Sequence, residues 1–277
     1  MLIDTRTKES MIASLASYLD ITEDELFQYI DYAANKAQPD SWAFNNDIFE
    51  EELLSFFSNL QPEKQIDEIY VYHLTRRLND SIEDKSSDNL KSLLLKESPI
   101  SSFLRQYGIT FIEKDGHPVI VFNDNEISLE DTFESDVCYL RRRLGYNTGR
   151  EDYCFNGFAL RDLLMKNSYT RQLFDGPEFL EVLSRYLSVG GLKKRYCENS
   201  KYYCFTYKMT IEEIIFDNRE QLSYEEKIDY LLVQIAMRIM SKYQYDHDNP
   251  IIRVADDASI PENEIIDVEE ITIDMIE

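Results

Sequence analysis

The 277-residue chain carries 53 Asp and Glu against 29 Lys and Arg, a formal net charge of −24. That balance disfavours non-specific binding to nucleic acid or anionic membranes, which needs clustered cations, and suits a basic protein partner instead. With 43% hydrophobic and 13% aromatic residues but only 8 Gly and 7 Pro, the composition excludes a disordered or low-complexity chain and predicts a packed interior.

No apolar run reaches the length that spans a bilayer, and Met1 to Ser10 contains acids and no signal-like hydrophobic region, so a cytoplasmic protein is expected. Cys138, Cys154, Cys197 and Cys204 show no C-x-x-C spacing and read as free thiols. The predicted organisation is an N-terminal helical segment, residues 1–62, before an α+β core, residues 63–277, in which a mixed sheet is flanked by helices.

From Met11 to Leu60 the pattern is helical. Thr22-Glu23-Asp24-Glu25 is a capping box, Leu26, Ile30 and Ala33 follow on one face, and Pro39 ends the helix. A further short helix is expected from Asp47, with Trp42 and Phe44 packing in the connection. Ile69 to Leu78 then reads as a strand. Side chains alternate across a strand, so His73 and Thr75 share one face, and Arg76 and Arg77 bring positive charge to its end. The plainer alternative is a half-buried strand whose histidine is satisfied by a neighbour.

Leu90, Leu93 and Leu94 mark a helix, Ile100 to Tyr107 a second, closed by Gly108. Two strand-like runs, Ile109 to Ile112 and Val119 to Phe122, flank Asp115-Gly116, a hairpin signal that puts His117 at the tip. Asp131 to Gly145 reads as a helix whose Arg141-Arg142-Arg143 complements its carbonyl end. Cys154 to Leu160 is an apolar segment. Helical spacing is expected for Asp162 to Tyr169 and for Pro177 to Leu187, with Gly190-Gly191 as a turn. Tyr202 to Met209 is the most strand-like run and is expected to be central.

Ser223-Tyr224-Glu225-Glu226 caps the clearest helix, whose apolar stripe runs through Ile228, Leu231, Leu232, Ile235 and Ile239 to Lys242. Beyond Gln244 the chain is strongly acidic, with Arg253 as its one base, yet Ile251 to Val254 and Ile265 to Ile273 have strand character around Ile260-Pro261.

The order of these elements resembles the ADP-ribosyltransferases of the histidine type, a group that includes the poly(ADP-ribose) polymerases, the DarT-like DNA-modifying toxins and, more remotely, the tRNA 2′-phosphotransferases. The shared pieces are a strand bearing Tyr72-His73-Leu74-Thr75, the Gly157-Phe158 segment leading into a helix with a tyrosine, the aromatic strand, and a last strand of the form Ile-Pro-x-x-x-Ile-x-x-Val from Ile260. The resemblance spans roughly residues 66–273, and its motif-like part is Tyr72 to Thr75. It implies an ADP-ribosyltransferase-like fold that binds NAD and transfers ADP-ribose to a macromolecular acceptor, as toxins and defence effectors do.

On that resemblance His73 would meet the ribose and carboxamide of NAD with Thr75 in support. Tyr169 would be the nicotinamide wall, Tyr153 its rival, and a core tyrosine the bland alternative. Cleaving the glycosidic bond passes through an oxocarbenium-like sugar, which asks for a positioned hydrogen-bonding group and a carboxylate near the ribose. The family's late-strand glutamate has no counterpart here. Asp248 stands nearest, Glu212 and Glu213 are the competitors, and the departure puts polymer formation in doubt. Arg76 and Arg77 suit a pyrophosphate or, equally, surface acids. The alternative function is a non-catalytic acidic protein that binds a basic partner, as an inhibitor or nucleic-acid mimic would.

Overall fold

A computed structural model describes residues 1–38, 43–79, 87–130, 133–147, 152–241 and 249–276. In chain order the elements are β1 (Leu2–Ile3), α1 (Lys8–Leu19), α2 (Glu23–Ala37), α3 (Asn46–Leu60), β2 (Glu68–Leu78), α4 (Leu90–Leu95), α5 (Pro99–Arg105), β3 (Ile109–Lys114), β4 (His117–Phe122), β5 (Asn125–Glu126), α6 (Ser135–Arg143), β6 (Asn156–Phe158), α7 (Ser168–Phe174), α8 (Glu178–Tyr186), α9 (Leu192–Glu198), β7 (Ser200–Thr210), β8 (Ile215–Phe216), α10 (Tyr224–Met240), β9 (Ile251–Arg253), β10 (Ile265–Glu270) and α11 (Ile273–Ile276). The class is α+β. Among the described residues no helix is long and apolar enough to cross a membrane.

The chain forms two compact units, one of residues 1–72, 158–167 and 207–252, the other of residues 73–157, 168–206 and 253–277. The N-terminal helices belong to the first unit. Their starts follow from local chemistry: Thr7 and Thr22 close capping boxes on α1 and α2, and Asn45 accepts from the Asp47 and Ile48 amides. Leu26, Ile30, Ala33 and Ala37 form the buried stripe of α2, facing Phe49, Leu53 and Phe57 of α3. Helix α2 ends at Ala37, consistent with the bias of pre-proline residues away from helix, while Pro39 and Trp42 lie outside the described residues. Helix α10 packs on α1, α2 and α3 through the stripe read from the sequence; the last residue expected in that stripe, Lys242, lies outside the described residues.

In this unit β1 runs parallel to the start of β2, with Ile3 opposite Ile69. Tyr72 pairs antiparallel with Phe158, and the strand order continues from β6 through β9 to β8. Thr5 is fully buried and donates to the Ala159 carbonyl at 2.6 Å, with the Tyr72 hydroxyl 3.2 Å away.

In the second unit the order is β10, β7, β2, so β7 has a partner on each side, as expected for its aromatic run. A separate antiparallel sheet, β3-β4-β5, turns at Asp115 (φ 53°) and Gly116 (φ 83°), the paired left-handed residues of a type I′ hairpin. Its buried side chains join Leu104, Val137, Leu140, Leu183 and Leu192 in one apolar cluster. His117 stacks on Tyr146, ring centroids 5.0 Å apart. All four cysteines are free thiols.

Four readings need correction. Asp162 to Tyr169 is not one helix: Leu163 is left-handed (φ 60°), a 3-10 turn covers Leu164–Lys166, Asn167 is extended, and Tyr169 lies at the start of α7. Helix α9 follows Gly191 (φ 77°), where only a turn was expected. The last strand stops at Glu270; Ile271 still donates to the Tyr202 carbonyl at 2.8 Å, but Ile273 opens α11. Helix α6 begins at Ser135; Asp131 lies outside the described residues.

Candidate functional site

Every described residue that the sequence singles out around His73, namely His73, Thr75, Arg76, Arg77 and Tyr169, lies in the second unit. Strand alternation sorts them. On the face of β2 that carries Arg76, the guanidinium donates to the carbonyls of Phe174 (2.8 and 3.1 Å), Cys197 (3.3 Å) and Ser200 (3.1 Å) and to the Ser200 hydroxyl (3.0 Å). It also lies over the rings of Phe174 and Tyr202. The Tyr202 hydroxyl donates to Thr170 and the Tyr196 hydroxyl to the Arg76 carbonyl. Helix α7 is therefore fastened to this face, and Arg76 is an internal staple whose contacts a pyrophosphate would have to displace.

His73, Thr75 and Arg77 occupy the opposite face. Arg77 lies 5.2 Å from the Phe205 ring and donates to the Ser87 hydroxyl at 3.1 Å, and Ser87 pairs with Ile260. The His73 ring packs on Phe155 at 4.4 Å between centroids. Its Nδ1 stands 2.6 Å from the Asn156 carbonyl oxygen. A carbonyl can only accept, so Nδ1 carries the proton and Nε2 presents the lone pair.

Burial pushes the His73 pKa down to about 4, and the positive charge of Arg77 adds to that, against the opposing pull of the Asn156 carbonyl. At neutral pH the ring is thus an uncharged acceptor of fixed tautomer. It can position a hydroxyl or amide but has no proton to give as a general acid. Because the folded value lies below the unfolded one of about 6.5, the unfolded state binds the extra proton between those values. Stability is fully present above about pH 6.5 and falls as the pH drops towards 4, by at most about 1.4 kcal/mol per unit. His73→Asn, whose amide can reach the same carbonyl, should remove this component. Urea unfolding of both forms at pH 7 and 5 measures it, and a wild-type minus variant difference that stays constant between the two pH values would sink the assignment.

Tyr169 is 41% exposed on α7. Helix α7 is held on the Arg76 face of β2, and the ring packed on His73 is Phe155. Phe155 stood inside an apolar segment with no periodic signal to mark it. Tyr153 is a core residue, 3% exposed, donating to the Leu144 carbonyl at 2.8 Å. Asp248 lies outside the described residues. In the first unit, Glu213 folds back on Thr210, accepting from its hydroxyl at 2.7 Å and its amide at 3.2 Å.

Comparison with protein families, with characterised proteins and with solved structures returned no match.

Proposed function

We propose that the chain is an ADP-ribosyltransferase-like protein that binds NAD on the His73, Thr75 and Arg77 face of β2 and transfers ADP-ribose to a macromolecular acceptor. The observation that carries this reading is His73, an uncharged acceptor locked by the Asn156 carbonyl and set beside a guanidinium. Nε2 would accept from a ribose hydroxyl or the carboxamide, Thr75 would support it, and Arg77 would meet the pyrophosphate. Phe155 takes the place first expected of Tyr169. Support also comes from two of the neighbours of β2, the Gly157-Phe158 strand β6 and the aromatic strand β7. In the reaction the nicotinamide glycosidic bond breaks, nicotinamide leaves with its electron pair, and an acceptor nucleophile bonds to the ribose carbon and loses a proton. The resemblance asks for a carboxylate to steady the positive sugar, and Asp248, outside the described residues, is the candidate the sequence offers for that role.

Millimolar NAD should raise the thermal midpoint, because a ligand held by the native state stabilises it by mass action. His73→Ala should abolish that rise and lower nicotinamide release on the order of 100-fold by loss of positioning. Asp248→Asn should spare the rise and lower release, as a contact made mainly in the transition state does. An unchanged midpoint for the wild-type protein with NAD would end this reading. Loss of release in Glu212→Gln or Glu213→Gln, with Asp248→Asn active, would move the carboxylate.

A further inference from the structure

In the first unit, α2 and α3 leave an aromatic strip uncovered. Tyr29 is 38% and Tyr32 52% exposed, and Tyr29 stacks on Phe56 of α3. Tyr32 lies away from the buried stripe of α2, while Tyr29 borders it, three residues from Leu26 and four from Ala33. Along these two helices the charge is one-sided: Glu23, Asp24, Glu25 and Asp31 on α2 and Asp47, Glu50, Glu51 and Glu52 on α3 stand against one cation in the same helices, Lys36. That cation is not scattered at random. Its Nζ lies 5.5 Å from the centre of the Tyr32 ring, which is the geometry of a cation–π contact.

We infer that this strip is a docking surface for a Lys/Arg-rich amphipathic segment of a partner protein. Exposed aromatic rings on carboxylate-rich helices match apolar and cationic side chains alternating on one segment, since aromatic anchors are enriched among the side chains that carry binding energy and complementary charge steers the encounter. Lys36 already occupies one ring in the way a partner's cation would. The inference is independent of NAD binding, which concerns the other unit.

The test uses the full chain and a fluorescein-labelled 16-residue peptide of Arg and Leu in helical spacing, with a Glu/Leu peptide of the same pattern as control. Anisotropy should show binding of the Arg peptide alone, weakening as salt rises. Tyr29→Ala/Tyr32→Ala should weaken it at least tenfold and Tyr32→Phe should restore it in the Tyr29 background, with circular dichroism confirming the fold. Asp267→Asn/Glu270→Gln, which removes charge elsewhere, should change it less than twofold. Equal losses for the tyrosine and tail variants would show general electrostatic attraction and overturn the inference. So would no loss with the tyrosine variant, binding of the Glu peptide, or self-association of the chain that the tyrosine variant abolishes.

Discussion

Replacing Arg238 by Met should destabilise the first unit by about 3–5 kcal/mol, the cost of stranding one member of a buried ion pair. Arg238 is 7% exposed, pairs through Nη2 with Asp162, and donates through Nη1 to the Ser241 carbonyl at 2.5 Å, closing the C-terminal end of α10. The variant therefore loses an ion pair and a helix cap while Asp162 keeps its charge. Arg238→Met combined with Asp162→Asn should recover part of that loss, because the uncompensated charge is gone, with a coupling of about 1–3 kcal/mol. Urea unfolding of the four forms measures the cycle. A double variant as unstable as the sum of the singles would show that the pair is not coupled.

Arg76→Met should destabilise the second unit by about 2–4 kcal/mol. Its methylene stem is replaced in kind, so the packing against Phe174 and Tyr202 is largely kept. What goes is the set of donors to the Phe174, Cys197 and Ser200 carbonyls, which hold α7 and the end of α9 to β2. Arg76→Lys should rescue little, since one ammonium cannot span acceptors that a planar fork reaches together. Amide exchange should then rise first in residues 168–174 and 192–200. A Lys variant as stable as the wild type, or exchange unchanged in those segments, would contradict the staple. If NAD binding is measured on the same variant, its survival would separate this structural role from a ligand contact.

Much of this was legible in the amino-acid order. Capping boxes at Thr22 and Ser223, the type I′ turn at Asp115-Gly116 and the apolar stripes of α2 and α10 are local rules, and a residue's neighbours within four positions decide them. The strand holding His73 was legible for the same reason, as was the shared face of His73 and Thr75. Breaks that depend on a single left-handed residue, such as Leu163, left no such trace, because leucine carries no preference for that conformation.

The candidate site was legible only in part. Spacing placed His73 and Arg77 together, yet it could not tell which side of β2 would receive α7, since that depends on where Arg76 finds its carbonyls more than 90 residues away along the chain. The sequence by itself determined the helices, the hairpin and a strand with a histidine on one face and an arginine on each. Only the tertiary structure decided that Arg76 is a staple, that α7 is fastened to the Arg76 face of β2, and that burial keeps His73 neutral while the Asn156 carbonyl fixes its tautomer. Hydrogen bonds between distant segments set these outcomes, and no local pattern records them.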